Sequence, residues 1–167
     1  MTRPAKSSSL KIQIDGAARG NPGPAGVGVV LSAGPGRKAK ELAVYLGEAT
    51  NNVAEHCALI VALQEALKQN SADVLVFSDS ELLVRQVNGQ YKVKDKQLQW
   101  LHVLIRQLIE GFSRFEIRHV PREENKAADR LANRAVTDGL RRQPASSPTK
   151  KQTAPPQRSI VIQSTFW

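Results

Sequence analysis

An α/β fold is predicted, with a five-stranded mixed sheet in which an antiparallel meander is extended by parallel strands and flanked by helices. Three observations lead there. The first third of the chain holds short apolar or alternating segments separated by Gly/Pro-rich turns. Later segments of that kind are spaced by stretches whose apolar residues recur at helical intervals. The resulting order, βββαβααβα, requires a meander followed by strands added through right-handed helical crossovers.

Leu10-Lys11-Ile12-Gln13-Ile14 alternates apolar and polar, the period of a half-buried strand, which puts Asp15 at its C-terminal end. Gly20-Asn21-Pro22-Gly23-Pro24 forces a turn before Val27 to Leu31 resumes as strand, and Gly34-Pro35-Gly36 leads into a third strand at about Glu41 to Leu46. Asn52-Val53-Ala54-Glu55 has the form of a capping box, and Ala54, Ala58, Val61, Ala62 and Ala66 recur at helical spacing, so a helix is expected from about Asn52 to Gln69. Val74 to Phe77 is a continuous apolar run suited to a strand buried on both faces, ending at Ser78-Asp79. Glu81 to Val87 reads as a short helix. Leu98, Leu101, Leu104, Ile105 and Leu108 form an amphipathic helix stopped by Gly111. Phe115, Ile117 and His119 alternate in a last strand ended by Pro121, and Asn125 opens a final helix with Ala128, Leu131, Ala132 and Ala135 on one side.

With 167 residues, 41% of them hydrophobic, the chain supports one domain with tails. Its single cysteine, Cys57, rules out an internal disulfide framework, and no apolar run approaches the roughly 20 residues of a membrane helix. The polar N-terminus has no apolar h-region, so a cytoplasmic protein is expected. The net charge of +9 is uneven: residues 1–9 and 141–167 together hold seven bases and no acid, leaving 17 bases against 15 acids in between. Basicity alone therefore says little about the folded part. The expected division is a disordered segment at 1–9, a domain at 10–140, a basic Pro/Ser-rich linker at 141–158 and an apolar, aromatic peptide at 159–167. Two readings of that peptide stand: a strand or hook folded back on the domain, or a partner-docking segment anchored by Phe166 and Trp167.

Asp15 and Asp79 each follow an apolar strand, and the carboxyl ends of neighbouring parallel strands are where sites collect. Glu55 in the first turn of one helix and Asp129 early in the last can point to the same edge. Four such carboxylates repel one another unless divalent cations neutralise them, and an oxygen-only donor set favours Mg²⁺ or Mn²⁺ over zinc. Two ions about 4 Å apart suit phosphodiester hydrolysis. Each acid taken singly also has a plain structural use: Asp15 in a turn, Glu55 in the capping box, Asp79 as a helix cap, Asp129 as a solvated helix acid.

The surroundings of these acids resemble the ribonuclease HI family. Asp15-Gly16-Ala17-Ala18-Arg19-Gly20-Asn21-Pro22-Gly23-Pro24-Ala25-Gly26 is similar to its first-strand motif, and Thr50-Asn51-Asn52-Val53-Ala54-Glu55 to its first-helix motif. Ser78-Asp79-Ser80 matches its fourth strand, and Asn125-Lys126-Ala127-Ala128-Asp129-Arg130-Leu131-Ala132 its last motif. The four occur in order across residues 10–140. The resemblance implies a ribonuclease H-like fold and a monomeric endoribonuclease that hydrolyses the RNA strand of RNA/DNA hybrids by a two-metal-ion mechanism. It further implies Asp15, Glu55, Asp79 and Asp129 as catalytic metal ligands for Mg²⁺, or Mn²⁺ in its place, and Asn21, Thr50, Asn51 and Asn52 as substrate contacts, short polar groups able to approach a phosphate or 2′-hydroxyl. Two other readings remain, a nuclease of this fold acting on another nucleic acid and a silent hybrid-binding module; four mutually repelling acids argue against the latter.

The chain departs from the family in two places. The loop that often carries a histidine before the last acid is shortened to Pro121-Arg122-Glu123-Glu124, and His119, which precedes the proline, belongs to the strand alternation and only mimics that histidine. Glu123 or Glu124 is available to assist the metal site, or is simply a solvated loop acid. An extra basic helix found in some members is also missing. In its place Tyr91-Lys92-Val93-Lys94-Asp95-Lys96 offers either a contact to DNA-strand phosphates or a solvated loop. Trp100 is expected in the core or on a groove wall; His56, Cys57 and His102 match no zinc pattern.

Overall fold

The structure, a computed structural model, describes residues 9–34 and 36–142. The expectations for residues 1–8, for most of the linker and for the peptide at 159–167 lie outside the described residues. The elements are β1 (Leu10–Ala18), β2 (Gly23–Ser32), β3 (Lys40–Ala49), α1 (Asn51–Lys68), β4 (Asp73–Ser78), α2 (Glu81–Val87), α3 (Lys96–Ile109), β5 (Arg114–His119), a 3₁₀ turn (Arg122–Glu124) and α4 (Lys126–Arg142).

The five strands form one sheet in the order β3-β2-β1-β4-β5. The two pairings of the meander are antiparallel, and β1-β4 and β4-β5 are parallel, as the element order requires. Leu10 and Ile12 lie beside Val74 and Val76, which in turn lie beside Phe115 and Ile117. This produces one apolar face, which α1 covers with Ala58, Leu59 and Leu63, while α3 packs on α1 and adds Ile105 to the same core. On the opposite face α4 packs over β1, β2 and β3, and its buried Ala128, Ala132 and Ala135 allow a close approach.

Several boundaries differ from expectation for local reasons. Asp15 is not at the end of β1: the strand continues to Ala18 along β2, while the parallel ladder to β4 stops at Ile14 and Ser78. The two neighbouring strands therefore lose their mutual pairing where Asp15 and Asp79 follow. Strand β3 extends past Leu46 because a bulge opposite Ala25 and Gly26, with Gly47 at φ +79°, absorbs an extra residue and lets pairing resume. The cap of α1 is Thr50, whose hydroxyl accepts from the Val53 N–H at 3.3 Å, and not Asn52. No capping box closes there, because Glu55 turns inward to the site. Trp100 is not core: it is 78% exposed on the outward side of α3, opposite the buried Leu98 and Ile105. Among the described residues, no helix is long and apolar enough to cross a membrane.

Candidate active site

Three elements bring three carboxylates together. Asp15 comes from β1, Asp79 from the residue after β4, and Glu55 from the second turn of α1. Each offers an oxygen, and these oxygens all lie within 4.8 Å of one another. The close approach of β1 to α1 depends on Gly16. A Cβ there would fall 2.2 Å from the Glu55 nitrogen, and without one the Gly16 N–H donates to Glu55 Oε2 at 3.3 Å. Asp15 and Glu55 are each only 5% exposed. Asp129, one turn into α4, lines the same open cleft of about 410 Å³, together with Asn51, Ser80, Arg122 and Asn133.

Asp129 stands apart in one respect: its Oδ1 accepts from the Arg122 guanidinium at 2.6 Å. The shortened loop thus folds as a 3₁₀ turn that aims a cation at the cluster. Sequence reasoning passed over Arg122, although a basic residue seven positions before the last acid was in plain view. It also passed over Asn125 as a site residue. That side chain is fully buried and donates to the Ile14 carbonyl at 2.8 Å and to Asp79 Oδ1 at 2.9 Å, joining β1, the end of β4 and the entry to α4.

Burial and mutual repulsion push protons onto the cluster. The Asp15 carboxyl is raised from 3.8 to about 7, first by burial, then by Asp79 and Asp129, with Arg122 acting the other way. Glu55 is raised well above its ordinary value by burial, then by Asp15 and Asp79, with the Gly16 N–H opposing. Asp15 Oδ2 is buried without a hydrogen-bond partner among the described residues. A buried acceptor with no donor is costly, and a compact set of hard oxygens around it fits a divalent cation of the Mg²⁺ class.

The expected substrate contacts lie around the α1 N-terminus. Asn51 lines the cleft, and Asn21 Oδ1 accepts from the Asn51 N–H at 3.2 Å, tying the β1–β2 turn to the helix. Thr50 serves as the cap, and exposed Asn52 uses its carbonyl to accept from His56. His119 ends β5, exposed and outside the set that lines the cleft. Glu123 and Glu124 are exposed as well. In the basic stretch, the Arg85 guanidinium lies 5.1 Å from the Tyr91 ring centre, and Asp95 caps α3.

Residues 13–135 match a family model described as reverse transcriptase-like. The chain is 41% identical over 138 residues to ribonuclease HI of Halobacterium salinarum, an alignment that covers 83% of this chain and 69% of that protein. The chain belongs to the ribonuclease HI family. The crystal structure of the RNase H1 from that archaeon superposes with a TM-score of 0.75 at 43% identity, covering 78% of this chain and 98% of the other. A ribonuclease HI relative isolated from compost, LC11-RNase H1, has a structure in complex with an RNA/DNA hybrid; it matches with a TM-score of 0.74 at 42% identity, over 79% and 99% of the two chains. A bifunctional protein of Mycobacterium tuberculosis is 44% identical over 126 residues, but this chain spans 35% of its length. The acidic cluster of this member is a compact donor set for a divalent cation.

Proposed function

We propose that this protein is an endoribonuclease that hydrolyses the RNA strand of RNA/DNA hybrids by a two-metal-ion mechanism, with Mg²⁺ as the physiological ion and Mn²⁺ as a substitute. The observation that carries this reading is the convergence of Asp15, Glu55 and Asp79 oxygens within 4.8 Å of one another at an open cleft, with Asp15 Oδ2 unpartnered among the described residues. Asp15, Glu55 and Asp79 would hold the cations, and Asp129, which lines the same cleft beside Arg122, would complete the set. When bound, divalent cations supply the positive charge that lowers the pKa of an attacking water and stabilises a leaving oxygen.

The chain's own residues do the rest. Asn125 fixes the Asp79 carboxylate relative to β1. Asn21, Thr50, Asn51 and Asn52 present short polar groups to the backbone of the cut strand, where a 2′-hydroxyl distinguishes RNA from DNA. In the reaction a water oxygen bonds to phosphorus, one phosphoester P–O bond breaks, and the leaving oxygen takes up a proton. The lone free thiol of Cys57 suits a reducing compartment, and the reading is of a cytoplasmic monomer. A silent hybrid-binding module would leave the buried, mutually repelling acids without a purpose.

The test is cleavage of end-labelled RNA in RNA/DNA, RNA/RNA and single-stranded form, each with Mg²⁺, Mn²⁺ or EDTA. Cutting confined to the hybrid and abolished by EDTA is expected. Equal cutting of RNA/RNA, or cutting that persists in EDTA, refutes the reading.

A further inference from the structure

A second groove on the described surface is larger than the acidic cleft. It measures about 630 Å³ and lies between β3 and the C-terminal half of α4, lined by Tyr45, Arg134, Asp138, Gly139 and Arg142 among others. Tyr45 is seated there by an unusual choice of residue. Gly139 lies inside α4, where glycine is disfavoured by about 1 kcal/mol relative to alanine, and a Cβ at that position would fall 2.1 Å from the Tyr45 ring. The helix thus gives up a side chain so that an aromatic ring can lie against its backbone.

The charge around this ring is lopsided. Exposed Arg134 and Arg142 line the groove and form no ion pair among the described residues, while Asp138, the one acid among the lining residues, lies 4.0 Å from Arg141. Exposed Arg130, also without an ion pair among the described residues, lies one turn before Arg134 and next to Asp129 of the acidic cleft. Arg130 and Arg134 stand about 6 Å apart along the helix, Arg142 about 12 Å further on beyond Asp138, and Asp129 to Asp138 is about 14 Å. A cationic path therefore leads from the cleft over α4 to an aromatic seat. Cations that follow a backbone, with an aromatic on which a base stacks, are the means by which single strands are held. A duplex offers no free base face to such a ring.

We propose that the β3–α4 groove holds the single-stranded RNA flank of a hybrid whose paired part occupies the acidic cleft, with Arg130, Arg134 and Arg142 along the phosphates and Tyr45 under a base. This rests on the hybrid-cutting reading, because the strand that runs past Asp129 is then the RNA. The groove adds affinity for one end of the substrate and takes no part in bond cleavage.

The experiment measures Kd in EDTA by anisotropy for a blunt hybrid and for hybrids with a six-nucleotide overhang of RNA at the 5′ or the 3′ end, or of DNA. The expected result is about tenfold tighter binding for the RNA overhang at one end only, lost in Tyr45→Leu, which keeps an apolar group against Gly139, and in Arg134→Gln/Arg142→Gln. Blunt-hybrid affinity and Mg²⁺-dependent cleavage should stay within twofold in both variants. A control pair on other surfaces, Lys11→Gln/Lys68→Gln, should keep the overhang preference. No overhang gain in the wild type, an equal gain from DNA overhangs, or equal loss in the control pair would overturn the proposal. So would displacement of the overhang by polyglutamate at concentrations where single-stranded RNA of equal charge does no better, which would mark the groove as a seat for acidic protein. A chain that cuts no hybrid yet shows the overhang preference refutes the cleavage reading and leaves the groove assignment standing.

Discussion

The raised carboxyl of Asp15 makes a measurable claim about stability. In the metal-free protein its pKa stands near 7 against an ordinary 3.8, with burial as the main cause. Between those values the folded chain keeps a proton that the unfolded chain has released, so stability falls as pH rises through the window and levels off above about 7. At about 1.36 kcal/mol for each pH unit, the full effect is about 4 kcal/mol, which for a domain of this size is a drop in Tm on the order of 10 °C. Glu55 is shifted in the same direction and adds to the slope. Urea unfolding in EDTA from pH 4 to 8 should show the decline, and Asp15→Asn should make it shallower and be more stable than wild type at pH 8. Mg²⁺ added at pH 8 should restore the lost stability to the wild type. A flat profile in the wild type, or an equally steep one in Asp15→Asn, would show that the cluster is far better solvated than the structure has it.

Further outcomes follow from single contacts. Asp79→Asn should abolish cleavage while leaving folding and hybrid binding intact, as judged by circular dichroism and anisotropy; retained cleavage would displace Asp79 from the site. Asn125→Ala removes the donor shared by the Ile14 carbonyl and Asp79 and should lower unfolding free energy by about 1–3 kcal/mol while slowing turnover. Arg122→Gln removes the cation paired with Asp129 and should lower the Mg²⁺ concentration for half-maximal cleavage several-fold, whereas an increased requirement would show that Arg122 supports the metal-bound state. His119→Ala should slow turnover by less than about tenfold, below the 10²–10⁴ usual for a general acid or base; a thousandfold loss would place that exposed strand-end residue in the reaction.

The architecture was legible because period and punctuation agree along most of this chain. Alternation in Leu10 to Ile14, the closed apolar run Val74 to Phe77 and the stripe through Leu98 and Ile105 each permit one kind of element, and the meander-then-crossover order leaves few sheets to choose from. What failed was local. The capping-box pattern at Asn52 and Glu55 competes with a cap two residues earlier, and the competition is settled by Gly16, thirty-nine residues away, which draws Glu55 inward. The length of β3 depends on a bulge set by its partner strand. Trp100 shows the limit of a helical stripe read from spacing alone. Its neighbours Leu101 and Leu104 made it look half-buried, yet α1 covers only one side of α3, and the ring is left facing outward.

For the site, sequence could nominate the acids but not their electrical state. Four carboxylates in four motifs look equivalent on paper, whereas the fold sorts them: Asp15 and Glu55 are buried and carry raised pKa values, and Asp129 is paired with a guanidinium. That difference arises from the shortened loop. Cutting the segment between Pro121 and Asn125 to three residues leaves room for only one 3₁₀ turn, and that turn fixes where Arg122 can reach. The same cut removes any place for a histidine after the strand, since His119 is held in register beside Ser78 by the β4–β5 ladder. Loop length, more than the identity of any one residue in the loop, therefore decides which charged group meets the fourth acid. A variant that lengthens this loop by two glycines should free Asp129 from Arg122 and lower the Mg²⁺ requirement as Arg122→Gln does. If the insertion instead left the requirement unchanged, the ion pair would be set by the reach of the arginine side chain and not by the turn that carries it.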